Sequence, residues 1–142
     1  MQPISFEEIL DHILSQDARY HRDAYFFVRE ALDHTQKIVG KEAKSGQIRH
    51  VSPKELLDGI REFALEQFGP MAITVFEEWN IRSCKDFGEI VFVMIEHSLL
   101  AKTEKDTRAD FDPGYDFYEA FRKPFLPQKA VESRQRAAKL KT

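Results

Sequence analysis

An all-α fold follows from three features of the chain. Complete helix-start signals stand at Ser5, Ser52 and Ser83, apolar residues between them recur at helical rather than alternating spacing, and glycine or proline punctuates the joins. The expected architecture is a compact bundle of about five main helices plus a short C-terminal aromatic helix, with a helix-turn-helix-like arrangement at 70–100. A single helical domain over residues 1–126 and a basic tail over 127–142, flexible or marginally helical, complete the organisation.

Ser5 with Glu8 forms a capping box and Ile4 with Ile9 a hydrophobic staple, so the first helix starts at Phe6, with Ile9, Leu10, Ile13 and Leu14 as its core stripe. A second helix is expected from Tyr20 or Asp23 to Val39, carrying Phe27, Val28, Ala31, Leu32 and Thr35 on one face and stopped by Gly40. Lys41 to His50 is polar and reads as a loop, with a wing-like hairpin over 41–51 as a lesser alternative. The third start is the fullest. Ser52 is the cap, Pro53 takes the first helical position, Glu55 reaches back, and Val51 staples to Leu56. Leu56, Leu57, Ile60, Phe63, Ala64 and Phe68 then share a face until Gly69-Pro70 closes that helix and opens the next.

Ala72, Val75, Phe76 and Trp79 form the apolar side of the fourth helix, and Asn80, which tolerates positive φ, closes it. Ser83 with Asp86 opens a fifth, expected to run to Leu100. Its polar residues cover only about a third of its circumference, so it is the central helix. Lys102 to Asp110 reads as a charged connector and Asp112-Pro113-Gly114 as a turn. Tyr115 to Phe121 reads as a short helix docking Tyr115, Tyr118, Phe121 or Phe125, and Pro124 and Pro127 end the domain.

Composition narrows the class further. A chain of 142 residues buries roughly 70% of the surface it exposes when unfolded, enough for a core without staples. The longest apolar run, Ile90 to Ile95, is too short to span a bilayer, so no membrane partner is expected. The N-terminus carries no secretory pattern and cytoplasmic residence is the expectation. One cysteine, Cys84, rules out an intrachain disulfide. Residues 122–142 carry seven basic side chains against one acidic, a net of +6, which leaves −9 on residues 1–121. Such a tail suits an anionic partner or the chain's own acidic body.

Few residues carry recognisable chemistry. The outward face of the fifth helix offers Lys85 against Asp86, Glu89 and Glu96, with Glu77, Glu78, Asp58, Glu62 and Glu66 on the two preceding helices, and this repels phosphate. The better anion or nucleic-acid contact set is Arg122, Lys123, Lys129, Arg134, Arg136, Lys139 and Lys141. Histidines 12, 21, 34, 50 and 97 are scattered. Glu8 with His12, and Glu30 with His34, sit four apart, but neither a di-iron pattern nor His-Glu-x-x-His occurs, so no metal is expected. Asp110, Asp112 and Asp116 break the spacing of a calcium loop at Pro113. Cys84, one residue inside a capped helix and beside Lys85, is a candidate reactive thiol, with a small buried residue as the plainer alternative. The glycines build no phosphate-binding loop or nucleophile elbow, and no cofactor or catalytic residue is expected.

The blocks Tyr20 to Val28, His50-Val51-Ser52 with Glu55 to Ile60, Phe68 to Ala72 and Asp86 to Phe92 resemble a family of uncharacterised bacterial proteins largely restricted to planctomycetes and verrucomicrobia. The resemblance extends to Phe121, leaves out the tail, and implies a single bacterial domain without an assigned activity. It gives Gly69 a helix-stop role and Gly88 a close helix crossing. The functional expectation is a non-enzymatic binding or adaptor module with a protein partner. A nucleic-acid-binding regulator using the tail or the helix-turn-helix-like element is the alternative, and an enzyme using Cys84 a further one.

Overall fold

The computed structural model describes residues 5–42, 50–101 and 106–127, and these form an all-α fold. The helices are α1 (Phe6–Gln16), α2 (Arg22–Glu42), α3 (Pro53–Phe68), α4 (Ala72–Glu78) and α5 (Cys84–Glu96). A 3₁₀ turn, Gly69–Met71, joins α3 to α4. After α5 come a 3₁₀ turn at Arg108–Phe111, a π-helical turn at Tyr118–Arg122 and a 3₁₀ turn at Lys123–Phe125.

All three starts form where the caps place them. The Glu8 N–H donates to Ser5 Oγ at 3.1 Å. At α3 the exchange is reciprocal, with Glu55 N–H to Ser52 Oγ at 3.2 Å and Ser52 N–H to Glu55 Oε1 at 3.1 Å. At α5 the Asp86 carboxylate accepts from the Arg82 and Ser83 N–H groups at 2.8 and 3.2 Å, while its other oxygen accepts from the buried Tyr20 hydroxyl at 2.6 Å. One side chain therefore caps α5 and ties it to the segment before α2.

The α4 closure is the left-handed one that asparagine allows. Asn80 has φ 65°, Ile81 N–H donates to Phe76 O at 2.8 Å, and Asn80 N–H donates to Glu77 O at 3.1 Å. The same closure ends α5 four residues before the expected Leu100. Ser98 takes φ 59°, Leu99 N–H donates to Met94 O at 2.8 Å, and Ser98 N–H to Ile95 O at 3.0 Å. Serine carries no strong signal for this geometry, and the early stop turns Leu99 and Leu100 off the helix axis. Gly40 does not stop α2, which runs on to Glu42. The position is exposed and its backbone is not left-handed, so glycine there only lowers helix propensity. The 41–51 hairpin falls largely outside the described residues, as does the tail beyond Pro127.

Phe76 stands at the centre of an aromatic core. The rings of Phe27, Phe68, Trp79, Phe87, Phe117 and Phe121 lie between 5.1 and 6.4 Å from it. The C-terminal segment enters this core through Phe117 and Phe121. Tyr115 lies before the helical turn that starts at Tyr118, and its hydroxyl donates to Leu57 O at 2.8 Å, whereas Phe125 is 43% exposed and does not dock. α5 is the central helix. Cys84, Phe87, Gly88 and the run Ile90 to Met94 are all buried on it.

Two glycines set how closely the layers approach. At Gly59 on α3 an added Cβ would collide with Thr35 of α2, so the close helix crossing lies here, with the Thr35 hydroxyl bonded to Ala31 O at 2.7 Å. At Gly88 the neighbour is not a helix. It is the Phe111 side chain, whose Cβ and Cγ would stand 2.7 and 2.8 Å from an added Cβ. Gly88→Ala is therefore expected to destabilise the fold by about 2 kcal/mol through overpacking. Gly40→Ala, with open space around it, is expected to stabilise by about 0.5–1 kcal/mol. Urea unfolding midpoints that move in opposite directions bear this out; a neutral Gly88→Ala contradicts the Phe111 contact.

Candidate functional site

Four segments meet at one corner of the bundle and leave a cavity of about 320 Å³. The Ser52 cap fixes the chain entering α3, which buries Val51 and leaves His50 at the rim. The left-handed closure of α5 brings Leu99 and Leu100 into the wall. The Arg108–Phe111 turn, held by an Asp110 carboxylate that accepts from Thr107 N–H at 2.8 Å, lays Phe111 across Gly88 and beside Phe92, at 6.4 Å between ring centres. α2 contributes Arg29, Leu32, Asp33 and Gln36.

The floor is apolar, made by Leu56, Val91, Phe92, Ile95 and Phe111. The rim is polar. His50 Nε2 and Asp106 Oδ2 lie 2.7 Å apart, joining the start of α3 to the segment before the 108–111 turn. The Arg29 guanidinium lies 4.4 Å above the Phe6 ring of α1, and Asp33 follows one turn later on α2. Behind the wall, Arg108 bridges Glu89 and Glu96 of α5 at 3.5 and 2.6 Å, stacks on Phe92 at 5.2 Å, and so anchors the 108–111 turn. Glu89 also accepts from Arg19, whose bidentate hold on Asp17 lowers that carboxyl's pKa. The acidic strip of α5 is thus occupied internally.

No family model, curated protein or solved structure matches the chain.

Among the described residues, the sequence-derived candidates Arg122, Lys123 and Cys84 lie outside the cavity lining. Arg122 is exposed, Lys123 is half-buried and pairs with Glu119 at 3.0 Å, and Lys129, Arg134, Arg136, Lys139 and Lys141 lie outside the described residues. The α4–α5 pair keeps its positive-φ turn, but α5 is enclosed along most of its length and offers no free face for a groove. His34 faces Glu62 at 3.9 Å, and His12 meets His97 ring to ring at 6.0 Å; among the described residues no group of three metal-ligating side chains forms. Asp110 and Asp116 serve as caps, the latter accepting from Glu119 N–H at 3.0 Å. The cavity residues come from four remote segments and share no motif, so the sequence does not group them. The Ser52 cap, which sets His50 at its edge, was the only local signal.

Cys84 takes the plainer of its two readings, a small buried residue. A helix start favours a lower thiol pKa, but burial is the largest influence and pushes it up. The side chain is fully buried, its Sγ accepts from Tyr115 N–H at 3.4 Å and donates to Tyr115 O at 3.5 Å, and the bare backbone of Gly114 closes over it. In native protein Cys84 is expected to react with iodoacetamide at least about 100-fold more slowly than in denaturant, because only an open form exposes a thiolate. Reaction at the free-thiol rate contradicts this placement.

Proposed function

We propose that this chain is a non-enzymatic binding module and that the cavity bounded by α2, α3, the end of α5 and the 108–111 turn is its binding site. One observation carries the reading: a preformed, apolar-floored cavity of about 320 Å³ with a few polar groups gathered at its rim, which is the usual form of a small-ligand site. An adaptor role fits the same chain, since Asp58, Glu62, Glu66, Glu77 and Glu78 are all exposed and suit a protein partner with a basic surface. The nucleic-acid alternative rests on the charge of residues 122–142 alone. A Cys84 enzyme loses its physical basis with the thiol buried and its pKa raised. The resemblance to uncharacterised planctomycete and verrucomicrobial proteins adds a proposed bacterial origin and no activity.

The uncharged dye 1-naphthylamine, whose emission moves to shorter wavelength on leaving water, tests the site. Saturable one-to-one binding is expected, weakened at least about tenfold by Leu32→Trp and by Ile95→Trp, which fill the cavity from half-buried wall positions. Ile73→Trp on α4, outside the cavity, is expected to leave binding unchanged, with urea midpoints checking that each variant folds. An absent signal, or one that all three variants share equally, contradicts the reading.

A further inference from the structure

Among the described residues the cavity rim is acidic. With His50 uncharged, it holds the Arg29 guanidinium against the Asp33 and Asp106 carboxylates. Arg29 is engaged elsewhere, because its guanidinium lies 4.4 Å above the Phe6 ring and Phe6 is not part of the cavity lining. Asp33 is exposed one helical turn later on α2, and no ion pair to it forms among the described residues. Asp106 has His50 Nε2 at 2.7 Å from its Oδ2, but an uncharged imidazole donates a hydrogen bond without cancelling the carboxylate's charge. The field beyond the rim has the same sign. Residues 1–121 carry −9 and the whole chain −3, so cations gather around the body and anions are repelled.

Resting on the binding-module reading, we infer that the cavity takes a hydrophobic organic cation, a primary ammonium on an apolar body, with the body on the floor and the ammonium at the rim with Asp33 and Asp106. The floor of Leu56, Val91, Phe92, Ile95 and Phe111 suits the body, since covering it removes apolar surface from water. The ammonium brings three donors and the charge that the two carboxylates lack. The rim is open to water, so the ammonium keeps part of its hydration and little is lost on entry. A unit charge about 4 Å from an exposed carboxylate gains about fivefold in affinity where the surroundings are water-like, and an anion loses as much.

Displacement of 1-naphthylamine from the full-length chain by octylammonium, 1-octanol and octanoate tests the head group at one chain length. The measurement is made at about pH 8.5, above the range in which histidine ordinarily charges, and at low salt. Octylammonium is expected to bind about fivefold tighter than 1-octanol and at least about tenfold tighter than octanoate. Asp33→Asn, at an exposed position, is expected to reduce the preference for octylammonium over 1-octanol about fivefold, and added salt at about 0.5 M to remove most of it. Octanoate or 1-octanol matching octylammonium in the wild type overturns the inference, as does an ammonium preference that Asp33→Asn leaves unchanged. If the dye itself does not bind, the binding-module reading has failed first and takes the inference with it.

Discussion

The contact on which the rest of this structure depends is the seating of the Phe111 ring on the bare backbone of α5 at Gly88. A helix of ordinary residues holds its neighbours away by at least a methyl group. Here the central helix lacks that group at one position, and the segment following it returns close enough to pack an aromatic ring against the helix itself. Arg108 reinforces the return by bridging Glu89 and Glu96, two carboxylates that would otherwise repel one another along the α5 surface. Such partly exposed pairs contribute no more than about 1 kcal/mol each, so the buried ring is the larger influence and the ion pairs orient it.

The cavity follows from the same return. Phe111 forms one wall because it is held at Gly88, and Asp106 reaches His50 because the chain leading to the 108–111 turn must pass the start of α3. The opposite wall depends on α2 lying close to α3, which the Gly59 crossing over Thr35 permits. What remains between these walls is too wide for the side chains present to fill. The pocket is open to water, which wets its apolar floor. An occupant that covers this floor removes apolar surface from water, and that transfer is favourable.

Legibility in the sequence divides along physical lines. The helix starts at Ser5, Ser52 and Ser83, the Gly69-Pro70 break and the Asn80 closure depend on residues within a turn of one another, and each stands where local chemistry puts it. Stops were harder to read than starts. Ser98 adopts a left-handed conformation that serine does not advertise, whereas Gly40 sits inside a helix that glycine usually ends. Partners across the fold were least legible. Gly88 read correctly as a place of close approach, but its neighbour is Phe111 rather than a helix, and the true helix crossing lies at Gly59. The candidate site was hidden for the same reason. His50 and Asp106 are 56 residues apart, and nothing within either neighbourhood indicates that they meet.

The central claim is that α5 is an enclosed hub on which Phe111 is seated, and nuclear Overhauser contacts in isotope-labelled protein test it most directly. Strong contacts from the Phe111 ring protons to the Gly88 Hα protons and to the Phe92 ring are the predicted result. A Phe111 ring with solvent-like chemical shifts and no contact to Gly88 would contradict the account, because neither the cavity wall nor the enclosure of α5 would survive that placement.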